Sequence, residues 1–201
     1  MDILLSTAYL PSISYFSYLV SSETLFVEQH ENYAKQTYRN RCYILTANGI
    51  MPLVIPTERK HGEKIKIRDV RIDYSTGWQT SHWRAMIAAY RSSPFFEYYI
   101  EDFLPFYTQR ESFLFDLNLK LLEKTVELSG IEKKIILTEK YMPVVDDNIE
   151  DRRNISPKTT KNKEFKPYCQ VFGKKFGFSS DLSIFDLLCN EGNNALSILM
   201  K

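Results

Sequence analysis

The chain has 201 residues, with 26 Lys and Arg against 25 Asp and Glu and a formal net charge of +1. This length fits one domain whose core needs no disulfide or metal. The balanced charge argues against nucleic acid as the main partner, because there is no basic excess to release counterions from phosphates. Aromatic residues make up 14% of the chain and only seven residues are glycine, which disfavours a glycine-rich phosphate loop.

The amino terminus and the cysteines predict a cytoplasmic location. Residues 1–20 have no basic start and no continuous apolar run, so they do not match a secretory signal. No window reaches the roughly 18–20 apolar residues that a membrane-spanning helix needs. Cys42, Cys169 and Cys189 are odd in number and lie outside any CxxC motif. These thiols cannot all pair within the chain, which favours a reducing compartment.

The first half of the chain predicts strands around one helix. Residues 3–10 form an apolar strand that stops at Pro11, residues 12–19 have helical spacing, and residues 24–27 form a second strand. This order predicts a βαβ unit with parallel pairing. Further strands are predicted over residues 42–45 and 51–55, joined by an Asn48-Gly49 turn, and over residues 65–73, with a mobile charged loop at 57–64.

The second half predicts helices and one long polar segment. Helical spacing covers residues 78–90, 95–106, 112–129 and 182–189, and a short strand covers residues 135–138. Residues 141–167 are polar and contain three prolines, which predicts a flexible surface loop or a partly disordered lid. The elements together predict an α/β fold: a single mixed α/β domain over residues 1–201, with an N-terminal βαβ unit, a β-hairpin and several packed helices.

The first candidate site follows the second predicted strand. No metal-ligand spacing, nucleotide-binding glycine motif or nucleophile elbow is present, so neither a metal nor a cofactor is predicted. Residues just beyond the carboxyl end of a strand line the binding crevice of an open α/β sheet. There His30 would accept a proton, while Lys35 and Arg41 would hold an anion. The alternative is a solvated, charged connection between strands.

Three other groups are candidates. His82 would reach a cleft beside the apolar stripe of its helix, unless it is only a partly exposed helix residue. The cations Arg152, Arg153 and Lys158 would close over a phosphate or carboxylate, or form an ordinary solvated charge run. Asp186 interrupts an apolar helical run, so it is either paired when buried or directed at a functional cleft.

These segments resemble the WbqC-like protein family. Five sequence blocks follow the family pattern in order: Tyr9–Phe16 (YLPSISYF), Tyr33–Arg41 with Lys35 and the run YRNR, Leu53–Pro56, Ile87–Phe96 with Tyr90 and Pro94, and Leu182–Gly192 (LSIFDLLCNEG). The chain departs from longer members at Gln29 and His30, where they have an Asp pair, and it lacks their Gly-Gly and Leu-Tyr segment. It is therefore similar to a short subgroup of the family.

The resemblance implies an acyl or aminoacyl (glycine) transferase that acts on an amino sugar in the synthesis of O-antigen and related surface polysaccharides. Amide formation needs a base for the ammonium proton and donors for the developing oxyanion. We assign His30 or His82 as the base. The predicted substrate-binding residues are Lys35, Tyr38, Asn40, Arg41, Arg152, Arg153, Lys158 and Asp186. The predicted partners are a small-molecule or carrier-linked amino sugar and an activated acyl or aminoacyl donor.

The alternative function is a non-catalytic module that binds a partner protein or a glycan during polysaccharide assembly. The low motif content of the chain favours this alternative. A geometric criterion separates the two hypotheses: the enzyme requires five residues to converge in one concave pocket, namely His30, Lys35, Asn40, Arg41 and Asp186.

Overall fold

The computed structural model describes residues 1–58, 64–160 and 165–200. The strands in these ranges are β1 (Asp2–Ser6), β2 (Thr24–Glu28), β3 (Arg41–Thr46), β4 (Gly49–Val54), β5 (Thr57–Glu58), β6 (Arg71–Ile72), β7 (Lys134–Leu137) and β8 (Ile149–Asp151). The helices are α1 (Ile13–Ser21), α2 (Trp78–Tyr90), α3 (Phe96–Thr108), α4 (Leu114–Leu128), α5 (Gly173–Phe176), α6 (Ile184–Glu191) and α7 (Ala195–Leu199).

A parallel sheet of four strands positions the polar groups discussed below. Its strand order is β7-β2-β1-β8, and all three neighbouring pairs are parallel. Helix α1 connects β1 to β2, which confirms the predicted βαβ unit. Ser12 caps this helix, since its hydroxyl accepts the backbone N–H of Tyr15. Because the four strands run in one direction, their carboxyl ends form a single edge, which we call the carboxyl edge.

The predicted hairpin is confirmed, while the next predicted strand is wrong. Strands β3 and β4 pair antiparallel with Thr46 opposite Gly49, which places the turn one residue earlier than expected. Residues 65–73 form a 3-10 turn and the two-residue strand β6 in place of one strand. The buried pair Ile67 and Val70 is spaced by three residues, which fits a 3-10 turn better than a strand. The predicted mobile loop falls mainly on residues 59–63, outside the described residues.

The helices form the rest of the core. Helix α2 has the predicted bounds, and α3 and α4 agree with their predictions to within two residues. The rings of Tyr90 on α2 and Phe103 on α3 both contact the ring of Phe185 on α6, at centroid distances of 5.3 and 4.8 Å. These ring contacts pack α2, α3 and α6 together. The mixed α/β fold that the sequence predicts is confirmed. No helix in the described part of the chain has the length and apolarity needed to cross a membrane.

The polar segment at residues 141–167 contains a strand that the sequence analysis did not predict. Strand β8 pairs in parallel with β1, with Asp2 opposite Ile149. The strand has only three residues, and none of them is fully buried, so it leaves no apolar run in the sequence. Its pairing brings Arg152 and Arg153 to the carboxyl edge. Residues 161–164 of the predicted lid lie outside the described residues.

Candidate functional site

Polar side chains from four strands meet at the carboxyl edge. Ser6 ends β1 and Glu28 ends β2, while Thr138 follows β7 and Arg153 follows β8 closely. The Glu28 side chain is fully buried. Its Oε1 accepts the Thr138 hydroxyl at 3.0 Å, and its Oε2 lies 3.4 Å from Nη1 of Arg153. These partners offset the free-energy cost of removing the carboxylate from water.

His30 lies beside the Glu28 carboxylate. Its backbone N–H donates to Glu28 Oε1 at 2.7 Å, and its ring Nε2 lies 3.0 Å from the carbonyl oxygen of Thr138. Because a carbonyl oxygen only accepts hydrogen bonds, Nε2 carries the proton. In the neutral ring, Nδ1 then has the lone pair that can accept a proton. The Thr138 carbonyl therefore orients His30 as a general base requires.

A second buried ion pair adjoins this group. Glu31 and Arg39 are each 7% exposed. Arg39 donates from Nε and Nη2 to the two carboxylate oxygens of Glu31, at 2.8 and 2.5 Å. The same Nη2 lies 2.7 Å from the Ser6 hydroxyl. The edge network, as we call this set, comprises Ser6, Glu28, Glu31, Arg39, Thr138 and Arg153.

The two predicted arginines of the polar segment are already paired with acids. Arg153 donates to Asp151 at 2.6 Å as well as contacting Glu28. Arg152 donates to Glu150 at 2.6 Å. The hydrogen bond from Arg153 also lowers the pKa of the Asp151 carboxyl. The positive charges of both arginines are therefore compensated within the chain.

A cleft of about 310 Å³ lies close to the carboxyl edge. The side chains that line it come from the connection before β3, the β3–β4 hairpin, the polar segment and the residues before α6: Tyr38, Tyr43, Ile50, Pro157, Thr160, Ser180, Asp181 and Leu182. Tyr38 also lines a small cavity beside Ser6 and Arg39, so it joins the cleft to the edge network. The predicted residue Lys158 is exposed and lies in the segment that forms one wall.

The carboxylate of Asp181 is held in a fixed position in the cleft wall. Its Oδ1 accepts the backbone N–H of Ser14 at 2.7 Å, and its Oδ2 accepts the Tyr38 hydroxyl at 3.3 Å. The backbone of Asp181 has a φ of 53°, in the left-handed region, which Asp tolerates better than most residues. The Tyr38 hydroxyl also lies 3.0 Å from that of Thr160. Burial and the nearby carboxylate raise the pKa of Tyr38.

His82 lies in the aromatic core and reaches no cleft, contrary to the expectation for its position. It is 6% exposed, its Nδ1 lies 3.0 Å from the Tyr9 hydroxyl, and its ring packs edge-on against Trp78. Burial lowers its pKa to about 4, so the ring is neutral at pH 7. The reason is the orientation of α2, which buries Trp78, His82 and Met86 and leaves Trp83 only partly buried.

Asp186 and Asn40 have structural partners. Asp186 is fully buried and accepts the Tyr168 hydroxyl at 2.5 Å and the Gln170 side-chain amide at 3.1 Å. Burial raises its pKa to about 6. The Asn40 amide donates to the carbonyl oxygen of Ile55 at 2.9 Å and ties the two ends of the hairpin together. Of the two alternatives for Asp186, burial with hydrogen-bond partners is the one observed.

The five residues of the geometric criterion do not converge. In the described part of the chain, the cleft lining includes none of them. Lys35 is exposed, and Arg41 is half-buried in β3 with its buried Nε lacking a hydrogen-bond partner there. The structure assembles a different set, the edge network with His30 and the cleft with Tyr38. No group of His, Cys, Asp or Glu among the described residues has the arrangement of a metal site.

Three of the assembled acids were missed in the sequence analysis. Glu28 ends an apolar strand, a position where an ionisable residue is unusual and where ligands bind in α/β sheets. That position was the available signal for Glu28. Asp181 lies just before α6, at a position typical of a helix cap, although Ser183 is the residue that caps this helix. Glu31 has no distinguishing pattern, since only the fold brings it to Arg39.

Comparison with known proteins identifies the family. A model of the WbqC-like protein family matches residues 7–163. The chain belongs to the WbqC-like protein family. This WbqC-like protein is also 25% identical to the uncharacterized protein Rv1507c of Mycobacterium tuberculosis, over 93% of the chain and 92% of that relative. No solved structure matches it.

The family blocks are joined to one another in this WbqC-like protein. The backbone N–H of Tyr9 donates to the carbonyl oxygen of Tyr38 at 2.9 Å. The N–H of Ile13 donates to the carbonyl oxygen of Leu182 at 3.0 Å. Tyr38 and Leu182 both line the cleft. The first block therefore positions two residues of the cleft wall that come from distant parts of the sequence.

Proposed function

We propose that this WbqC-like protein is a cytoplasmic acyl or aminoacyl transferase that forms an amide on an amino sugar during surface polysaccharide (O-antigen) synthesis. The observation that carries the proposal is the orientation of His30 at the carboxyl edge, with Nε2 bonded to the Thr138 carbonyl and Nδ1 as the proton acceptor. Family membership supports the reaction class through the resemblance described above. The free thiols Cys42, Cys169 and Cys189 support the compartment.

The chain's own residues supply the acid–base chemistry in this proposal. His30 Nδ1 first accepts a proton from the sugar ammonium, and the resulting neutral amine attacks the carbonyl carbon of the activated donor. As the carbon–nitrogen bond forms and the bond from the carbonyl carbon to the leaving group breaks, the attacking nitrogen loses its second proton to the departing group. The buried Glu28 carboxylate accepts the backbone N–H of His30 and so fixes the position of the residue that carries the ring. Lys35, Arg41 and Lys158 are proposed to contact the anionic parts of the two substrates.

The test compares wild-type protein with the variant His30→Gln. The Gln side-chain amide can still donate to the Thr138 carbonyl but cannot act as a base. Purified protein is incubated with an amino-sugar nucleotide and a panel of acyl thioesters and aminoacyl donors, and the amide product is measured by mass spectrometry. We expect a loss of about 10²–10⁴-fold in kcat for His30→Gln, with little change in the KM of the amine.

A matched control and two outcomes decide this test. The exposed Lys35 is proposed to bind and not to react, so Lys35→Ala should change KM more than kcat. If His30→Gln retains the wild-type kcat, His30 is not the base. If the wild-type protein forms no amide with any donor class, the transferase proposal is wrong.

The second candidate function is a non-catalytic glycan-binding module. The compensated charges of Arg152 and Arg153, and the failure of the five predicted residues to converge, support this second candidate. A thermal-shift screen separates the two functions, because any ligand of the folded state raises the unfolding midpoint. Stabilisation by sugars alone, with no response to acyl or aminoacyl donors, would favour the binding module.

A further inference from the structure

The cleft has an unusual charge distribution. Asp181 is the only formally charged residue among the described side chains that line it. It belongs to none of the ion pairs found in the described part of the chain. An anionic ligand would be repelled by this carboxylate, and a neutral ligand would leave its charge uncompensated. The cleft therefore favours a ligand that carries a positive charge.

The Asp181 carboxylate retains capacity to bind such a ligand. An ionised carboxylate has about four acceptor positions. The backbone N–H of Ser14 and the hydroxyl of Tyr38 occupy two of them. These two donors and the left-handed backbone of Asp181 fix the carboxylate, so little side-chain entropy is lost when a further donor binds.

The remaining walls fit the apolar face of a small ring. The rings of Tyr38 and Tyr43 pack edge to face at a centroid distance of 6.3 Å. Tyr43 is half-buried and Ile50 is 56% exposed, so both present apolar surface to the opening. The volume of about 310 Å³ lies at the lower end of the about 300–1,000 Å³ range of small-molecule sites. A single sugar ring fits these dimensions better than a larger ligand.

We propose that the cleft binds one amino-sugar ring, with its protonated amine paired to Asp181 and its apolar face against Tyr43. Aromatic side chains provide the apolar surface, and the carboxylate selects the amine over a hydroxyl. The choice of an amino sugar rests on the proposed function. In the cleft the amine is held in its protonated form, and the transfer step belongs to His30, which lies outside the cleft lining. The test below measures binding alone and needs no transfer reaction.

The first experiment titrates the protein with D-glucosamine and with D-glucose, which differ by one amine, and measures affinity by calorimetry or NMR. We expect glucosamine to bind about tenfold more tightly or better, the value of one hydrogen bond between charged groups. Asp181→Asn should abolish this preference. Asn tolerates the left-handed backbone and can still accept the Ser14 N–H, so the variant keeps the local fold.

A second pair of variants tests the proposal even if Asp181→Asn fails to fold. Ile50 is exposed at the rim of the cleft, where substitutions disturb packing little. Ile50→Lys places a positive charge beside the bound amine and should weaken glucosamine binding several-fold, with less effect on glucose. Ile50→Gln removes the apolar contact without adding charge and should weaken both sugars equally.

Each outcome decides the proposal. A glucosamine preference that disappears in Asp181→Asn and falls in Ile50→Lys supports it. Equal affinity for the two sugars, a preference that survives Asp181→Asn, or binding of neither sugar overturns it. If glucosamine binds through Asp181 but no donor is turned over, the cleft assignment stands and the transferase proposal fails.

Discussion

The edge network and the cleft lie side by side and share Tyr38, yet they use charge differently. In the edge network the acids Glu28 and Glu31 are buried with arginine partners. In the cleft, Asp181 is part of the wall and belongs to none of the ion pairs found among the described residues. A charged group that is already paired with an opposite charge in the protein attracts a charged ligand only weakly. A charged group without such a partner favours a ligand of opposite charge.

This difference separates stability from recognition. The edge network joins strands β1, β2 and β8 to the segment before the hairpin, so its loss should affect folding first. The cleft depends on fewer interactions, so changes there should alter binding with a small effect on stability. His30 has features of both regions, because Thr138 of the network orients its ring through Nε2 and leaves Nδ1 to accept a proton.

The largest expected effect comes from breaking the buried ion pair of the edge network. Glu31→Ala leaves the Arg39 guanidinium buried without its carboxylate, since both side chains are 9% exposed. We expect a loss of about 3–5 kcal/mol in the free energy of unfolding, measured by urea titration. Removing both partners in Glu31→Ala/Arg39→Ala should recover part of the loss.

A surface pair provides the control for this prediction. Lys120 and Glu111 also form an ion pair, but the Lys120 side chain is 54% exposed. Lys120→Ala should cost less than about 1 kcal/mol. A cost for Glu31→Ala no larger than that of Lys120→Ala would show that the edge network contributes little to stability.

Asp186 extends the comparison, because it is a buried acid that accepts hydrogen bonds from Tyr168 and Gln170 and has no arginine partner among the described residues. Its folded-state pKa of about 6 lies above the ordinary value of 3.8, so the folded protein binds this proton more tightly than the unfolded chain does. The contribution of Asp186 to stability is therefore present near pH 4 and is lost as the pH rises through 6. Relative to Asp186→Asn, we expect wild-type protein to lose about 2 kcal/mol between pH 4 and pH 7, since each pKa unit is worth about 1.4 kcal/mol and part of the loss occurs below pH 4.

The measurement is chemical unfolding of both proteins across this pH range. The neutral, buried His82 has the opposite effect, since its low pKa makes stability rise with pH between about 4 and 6.5. His82 is present in both proteins, so its contribution cancels in the difference. A stability difference that does not change with pH would mean that Asp186 has an ordinary pKa.

The smallest expected effect comes from Tyr38, which joins the two regions. Tyr38→Phe removes the hydroxyl that contacts Asp181 and Thr160 and keeps the ring in the cleft wall. We expect a loss of about 1 kcal/mol in unfolding free energy, measured by thermal or urea unfolding. A loss near that of Glu31→Ala would place Tyr38 among the stabilising groups of the edge network.

Much of the fold could be predicted from local patterns. The βαβ unit, the hairpin and helices α2 to α4 have long apolar runs or helical spacing, together with turn and capping residues such as Ser12 and Gly49. Strand β8 could not be predicted this way, because a segment of three residues, two of them acidic, forms a strand only when β1 is there to pair with it. The strand predicted over residues 65–73 was wrong, because alternation of apolar and polar residues over so short a run does not distinguish a strand from a 3-10 turn.

The candidate site was less predictable than the fold. The position of His30 beyond a strand end was correctly anticipated by the rule for open α/β sheets. The partners of each ionisable group depend on tertiary contacts, so the sequence offered no means to see Arg39 paired with Glu31. The sequence also could not show that the Asp181 carboxylate lies in a cleft, because the residues that surround Asp181 there, Tyr38 and Thr160, are far from it along the chain.

The most direct test of the account is an NMR titration of wild-type protein with D-glucosamine that follows backbone amide shifts. The account predicts that the largest shifts occur at Tyr43, Ile50 and Asp181, and that they are lost in Asp181→Asn. Largest shifts at Glu28 and Arg153, with none in the cleft, would contradict the division between a stabilising edge network and a ligand-selecting cleft.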